Sequence, residues 1–154
     1  RLREKQKLKR IFGLTEKQFR NNYIKAAKQL GVTGNNLISN LERRLDNVVY
    51  RLGFLSSRSE ARQYVNHGHV LVNGKKVDIC SYIVSLDDEI GIREKSRDNV
   101  RIKSSLESVA RRGVPEWLEL DSEKIIGKIK RLPIRDDFKQ PIDEQLIIEF
   151  YSKL

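Results

Sequence analysis

LERRLDNVVYRLGFLSSRSEARQYVNHGHVLVNGKKVDI, from Leu41 to Ile79, decides the fold, because it joins two basic helices to a tight hairpin with almost no residues to spare. Its first helix begins upstream. Gly34 to Leu52 carries Leu37, Leu41, Leu45, Val48, Val49 and Leu52 at three- and four-residue spacing, the buried stripe of one longer helix that Gly53 ends. Ser57-Arg58-Ser59-Glu60 then has the Ser-x-x-Glu form of a capping box, in which hydroxyl and carboxylate each satisfy an orphan amide of the first turn. The short helix it opens buries Ala61, Tyr64 and Val65 and stops at Gly68. Beyond it, His69 to Val72 and Lys75 to Ile79 flank Asn73-Gly74, a dipeptide suited to the positive backbone angles of a type I′ turn. Such a unit presents cationic side chains from a rigid surface and predicts a grip on a folded polyanion.

Outward from this stretch the pattern stays legible. Arg1 to Ile11 and Thr15 to Leu30 read as helices, the second capped by Thr15 and closed by Gly31. Tyr82 to Leu86 and Glu89 to Arg93 alternate apolar and polar residues around Asp87-Asp88 and predict two further strands. Asn99 to Arg112 returns to helix and ends at Gly113-Val114-Pro115, after which Trp117 to Leu120 and Ile125 to Lys130 suggest a hairpin. A last helix runs from Glu144 to Ser152, with Asp143 as cap and Leu146, Ile147 and Phe150 on its buried face. The expected class is α+β, with a small, mainly antiparallel sheet.

Composition narrows the function. The 154 residues, 38% hydrophobic, suffice for one medium domain or two small ones with real cores. Thirty-one Lys and Arg against 21 Asp and Glu give a formal net charge of +10, which favours nucleic acid as partner. A membrane is disfavoured, since no apolar run approaches the roughly 20 residues of a spanning helix. Cys80 is the single cysteine, so no internal disulfide forms and a reducing compartment is expected. With no Met and a start at Arg1, the chain is expected to lack a short N-terminal piece. Arg1 to Gly31 holds ten basic residues against two acidic, Glu42 to Lys103 twelve against nine, and Ser104 to Leu154 nine against ten. The first third therefore carries most of the excess.

Helix geometry groups the cations. On a Gly34 to Leu52 helix, Arg44, Asn47 and Arg51 line one polar stripe, and Arg58 and Arg62 do the same on the short helix. If the two helices pack through Leu45, Val49, Ala61 and Val65, the stripes merge into a face suited to phosphates, which guanidinium groups bind bidentately. The rival reading pairs Arg43, Arg44 and Arg51 with Glu42 and Asp46 on their own helix. Lys75 and Lys76 extend from the hairpin tip, and His67 and His69 offer hydrogen bonds or stacking. Arg3, Lys5, Lys7, Arg10, Lys17 and Arg20 form a second predicted contact set.

Arg44 to Ile79 resembles the RNA-binding module named after ribosomal protein S-four, often called an αL motif. The Ser-Arg-x-Glu-Ala-Arg run, the His-Gly-His step and the Val-Asn-Gly turn occur there in order. The resemblance continues through REKQKLKRIFGLTEKQF before the module and LPIRDDFKQPIDEQLIIEFYSK after it, so nearly the whole chain is similar to the S-four family of the bacterial or organellar small ribosomal subunit. It implies a helical domain built from both chain ends, residues 1–41 and 104–154, with the module, residues 42–103, inserted between them. It further implies direct binding to small-subunit ribosomal RNA, nucleation of subunit assembly, contacts with neighbouring ribosomal proteins that influence accuracy, and in some members regulation of the protein's own messenger RNA. The implied location is the ribosome, in the cytoplasm or in an organelle. The family's N-terminal extension, which in some members holds a cysteine zinc cluster, is missing from this sequence, so the resemblance implies no metal and no cofactor.

Rival chemistries are weaker. His67, His69 and Cys80 lack the spacing of closed zinc sites. Asp87-Asp88-Glu89 and Asp136-Asp137 sit among turn signals and suit loops better than catalysis. An enzyme carrying the module would need a catalytic domain, and the flanks offer no nucleophile and base at suggestive spacing and no Gly-rich phosphate loop. A DNA-binding helix-turn-helix is disfavoured by the hairpin that follows the second helix at once.

Overall fold

A computed structural model describes residues 1–153 as two compact units, Arg1–Glu42 with Ile134 onward, and Arg43–Pro133. The first is helical. Its helix α1 spans Leu2–Phe12 and ends on Gly13 at φ 68°. Helix α2, Glu16–Lys28, opens on a full capping box: the Thr15 hydroxyl accepts from the Gln18 N–H at 3.2 Å and the Gln18 side chain accepts from the Thr15 N–H at 3.0 Å. Helices α3, Thr33–Glu42, and α7, Glu144–Ser152, complete the unit. Leu8, Phe12, Phe19, Leu37, Ile38, Leu41 and Phe138 form its core. A Cβ at Gly34 would lie 2.6 Å from Glu144 Cγ, so α3 meets α7 through a position that only glycine fits. On α7 Ile147 is buried, Leu146 and Phe150 are half-buried, and Asp143 makes no side-chain cap.

The second unit is helices on one antiparallel sheet. It comprises α4 (Leu45–Arg51), α5 (Arg58–Asn66), β1 (Val70–Val72), β2 (Lys75–Lys76), β3 (Glu89–Ile92), α6 (Val100–Arg112), β4 (Leu118–Asp121) and β5 (Ile126–Ile129). The strand order is β2-β1-β3-β5-β4, every pair antiparallel. Asn73 at φ 52° and Gly74 at φ 80° make the predicted tight turn. Leu45, Val48, Val49, Leu52, Ala61 and Val65 of the helices, Ile90 and Ile92 of the sheet, and Trp117 close one core.

Three expectations are corrected. The long helix from Gly34 to Leu52 is two helices, interrupted where Arg44 turns extended at φ −61°, ψ 138°. Tyr82 to Leu86 is no sheet strand: its backbone bonds the start of α4, with the Leu45 N–H donating to Tyr82 O at 2.8 Å and the Val84 N–H to Arg43 O at 3.0 Å. One segment's deviation therefore explains the other. Third, the division expected after Lys103 falls after Pro133, because β3 pairs with β5 and because α6 contributes Ile102, Leu106 and Val109 to the core under the sheet.

Candidate nucleic-acid interface

Helices α4 and α5 pack through the fully buried Leu45, Val49, Ala61 and Val65, and that packing orders the polar side chains around them. The Ser57 hydroxyl caps α5 by accepting from the Glu60 N–H at 3.1 Å, while the Glu60 carboxylate takes the Ser56 and Ser57 hydroxyls at 2.7 and 3.2 Å. With the first turn fixed in this way, Arg58 is held at two points. Its Nε donates to Asn47 Oδ1 at 2.9 Å, and its guanidinium lies 4.5 Å from the Tyr50 ring centroid. Arg51 sits over the same ring at 5.9 Å, so Arg51, Tyr50 and Arg58 form one cluster across the two helices. Arg62 follows Arg58 by one turn on α5 and Asn66 follows Arg62 by another.

The stripe continues toward the hairpin. The Cys80 thiol donates to Arg62 O and Asn66 Oδ1 at 3.5 and 3.3 Å, which fastens the segment after β2 alongside α5. Burial, and next the Asp46 carboxylate, push the Cys80 pKa up to about 11, so the group stays a neutral thiol. Lys76 lies across Gly68, close enough that a Cβ there would meet its Cδ at 3.1 Å, and Lys75 beside it is exposed. His67 is exposed, while His69 is half-buried, its ring against Tyr64 with centroids 4.6 Å apart and its Nδ1 2.6 Å from Ser96 Oγ. Burial, with Arg93 and His67 adding to it, holds the His69 pKa below the ordinary range.

Two predicted contact residues are placed elsewhere. Arg44 is 3% exposed, and its Nε and Nη2 donate to the two Asp46 carboxylate oxygens, each at 3.2 Å. It leaves the stripe because it precedes α4 and its guanidinium turns inward to an acid two residues away. Lys5 is 4% exposed, donates to Glu16 and lies 4.8 Å from the Phe150 ring centroid, a strut inside the helical unit rather than a surface cation. Arg3, Lys7, Arg10, Lys17 and Arg20 are exposed, Lys7 with a hydrogen bond to Pro141 O at 2.6 Å. Tyr50 and Asn47, which orient Arg58, carried only a weak signal: a tyrosine beside Arg51 and an asparagine in its polar stripe.

Family comparisons meet at the same point after Glu42. Residues 1–42 match the ribosomal protein S4/S9 N-terminal domain, and residues 43–90 match the S4 domain. The small ribosomal subunit protein uS4 of Pelobacter propionicus is 60% identical over 152 residues, 99% of this chain and 73% of that protein. Its counterparts in Syntrophus aciditrophicus and Trichlorobacter lovleyi are 57% and 59% identical with the same coverage. With both domain models in sequence and this identity along nearly its whole length, the chain belongs to the uS4 family of small ribosomal subunit proteins.

Proposed function

We propose that the chain is a structural constituent of the small ribosomal subunit that binds its ribosomal RNA directly through backbone phosphates and catalyses no reaction. The observation that carries this reading is the cationic face of the Arg43–Pro133 unit, in which Arg51, Arg58 and Arg62 lead along the helix pair toward Lys76 over Gly68. RNA in the A-form hides most base edges and displays its backbone, so a rigid set of cations matched to phosphate positions recognises its shape. The likeness to relatives named as small ribosomal subunit proteins favours ribosomal RNA over other RNAs as the partner. The exposed Arg3, Lys7, Arg10, Lys17 and Arg20 supply a second phosphate-binding surface. A protein that fixes an RNA junction in this way nucleates subunit assembly, carries neighbouring proteins that bear on accuracy, and acts from the ribosome. A fold of its own messenger RNA that offers the same phosphate arrangement would compete for the same face.

Binding to transcribed small-subunit ribosomal RNA, measured across a salt series, tests the proposal. Arg51→Ala, Arg58→Ala and Arg62→Ala are each expected to weaken binding and to reduce the slope of log affinity against log salt by about 0.7 to 0.9, one phosphate's worth. Tighter binding to duplex DNA than to the ribosomal RNA at matched salt would overturn it.

A further inference from the structure

Asn73 does more for the β1–β2 hairpin than tolerate its backbone angle. Asparagine suits the first central position of a type I′ turn because it accepts a positive φ, and its side chain ordinarily bonds within its own turn. Here the side chain leaves the turn. Its Nδ2 donates to Asp88 Oδ1 at 2.9 Å, its Oδ1 accepts from the Glu89 N–H at 2.9 Å, and the Asn73 backbone N–H donates to Glu89 O at 2.8 Å. All three bonds go to the two residues at which β3 begins. Asp88 is placed to receive them: it is 9% exposed, and its other carboxylate oxygen accepts from the Ser85 N–H at 2.7 Å. The same carboxylate acts on Arg43, where burial lowers the guanidinium pKa and the Asp88 charge works against that fall. Arg43 in turn donates from Nε to Val84 O at 2.9 Å. The hairpin tip is thereby tied through Asp88 to the turn before β3 and on to the start of α4.

The hairpin has little else to aim it. Strand β2 is the sheet edge and consists of two exposed residues, Lys75 and Lys76, in register with Val72 and Leu71 of β1. A two-stranded ribbon of that length is marginal by itself. The turn projects from the unit, since a Cβ on Gly74 would meet no atom within 4 Å. Past the turn, the Lys76 stem rests over Gly68 and the Val77 N–H donates to Val70 O at 3.2 Å. An asparagine serving backbone angle alone would leave this edge free to swing, whereas the bonds to Asp88 and Glu89 remove that freedom before any partner arrives.

We propose that Asn73 is a positioning residue for RNA binding: clamped by Asp88 and the Glu89 amide, it fixes the direction in which the hairpin presents Lys75 and Lys76. Asn73 itself need touch no phosphate, and the proposal rests on the ribosomal RNA reading above. Its contribution is pre-organisation, because a hairpin already aimed loses less conformational freedom on binding than one that must be ordered at that moment.

The test uses the full chain and transcribed small-subunit ribosomal RNA in a salt series. Asn73→Gly keeps a residue at ease with positive φ and removes the clamp. It is expected to weaken binding by about threefold to tenfold while leaving the slope of log affinity against log salt within about 0.3 of the unsubstituted value, since the same phosphates are still neutralised. Lys75→Ala with Lys76→Ala is expected instead to lower that slope by about 1.5. In the Lys75→Ala, Lys76→Ala chain, adding Asn73→Gly is expected to change affinity by less than about 1.5-fold, because the clamp then has no cations to aim. A general loss of fold would weaken binding equally in both backgrounds, and that outcome overturns this inference. So does unchanged affinity on Asn73→Gly alone, or an unchanged slope on removing both lysines; if Arg62→Ala still flattens the slope, the ribosomal RNA reading stands without it. Absence of salt-dependent binding by the unsubstituted chain overturns this inference together with the reading beneath it.

Discussion

Arg44 shows how much one side chain's direction decides. An arginine in a run of basic residues reads as a phosphate ligand, yet this one is enclosed with Asp46, which also accepts from the Asn47 N–H at 2.8 Å. Breaking a buried pair by removing one partner leaves the other charge uncompensated. Arg44→Ala is therefore expected to destabilise the fold by about 3 kcal/mol while leaving the salt slope of RNA binding unchanged, which a denaturant titration and the salt series separate. Cys80 makes the second prediction at this scale. With a pKa raised from 9.0 to about 11, the folded protein holds its proton where the unfolded chain releases it. Stability linked to this group is present below about pH 9, the unfolded value, and is lost as pH rises toward about 11. At pH 8 alkylation of Cys80 is expected to run about a hundredfold slower in the folded than in the unfolded chain, read by mass spectrometry with and without denaturant.

Among the elements, α4 and β5 approach too closely for a side chain between them. A Cβ on Gly127 would lie 2.4 Å from both Leu52 methyl carbons, and the end of α4 rests on the middle of β5 through that gap. Gly127→Ala is expected to cost about 2 kcal/mol by overpacking, with Leu52→Ala in the same chain recovering part of that loss, measured as a double-mutant cycle. The same scale explains the break in the predicted long helix. Leu37 and Leu41 belong to the core of the helical unit, and Leu45, Val48, Val49 and Leu52 to the core under the sheet. The apolar spacing carries on unbroken across residues 43 and 44, so periodicity alone gives one helix where two cores take one turn-and-restart. Tyr82 to Leu86 failed as a strand for the complementary reason: alternation marks an extended segment but does not name its partner, and this partner is Arg43 to Leu45.

For the whole molecule, the unit from Arg43 to Pro133 owns its core and its complete sheet. A fragment of residues 43–133 is expected to unfold cooperatively, with a near-ultraviolet signal from the buried Trp117. A fragment of residues 42–103 lacks β5, the partner of β3, along with Leu106, Val109, Trp117 and Ile129, and is expected to show no cooperative melt. Equal cooperativity in the two fragments would refute this division of the chain.

Local signals in the sequence determined a great deal here: the capping residues Thr15 and Ser57, the Asn73-Gly74 turn, the helix stops at Gly53, Gly68 and Gly113 but not the one expected at Gly31, where the helix already ends at Lys28, the buried faces, the excess of cations and the motif order that marks the family. Each depends on neighbours a few residues apart, which is the range over which backbone preference and side-chain period act. Which arginines face solvent, where one helix becomes two and which strands complete the sheet were decided by tertiary structure. Most of those outcomes turn on partners distant in the chain, such as Val84 for Arg43 at 2.9 Å, Asn47 for Arg58, Glu16 for Lys5 and β5 for β3, whereas Arg44 takes the acid two residues away that the rival reading of the sequence names. A charge is drawn to the nearest satisfied geometry in space, and separation along the sequence does not report that distance.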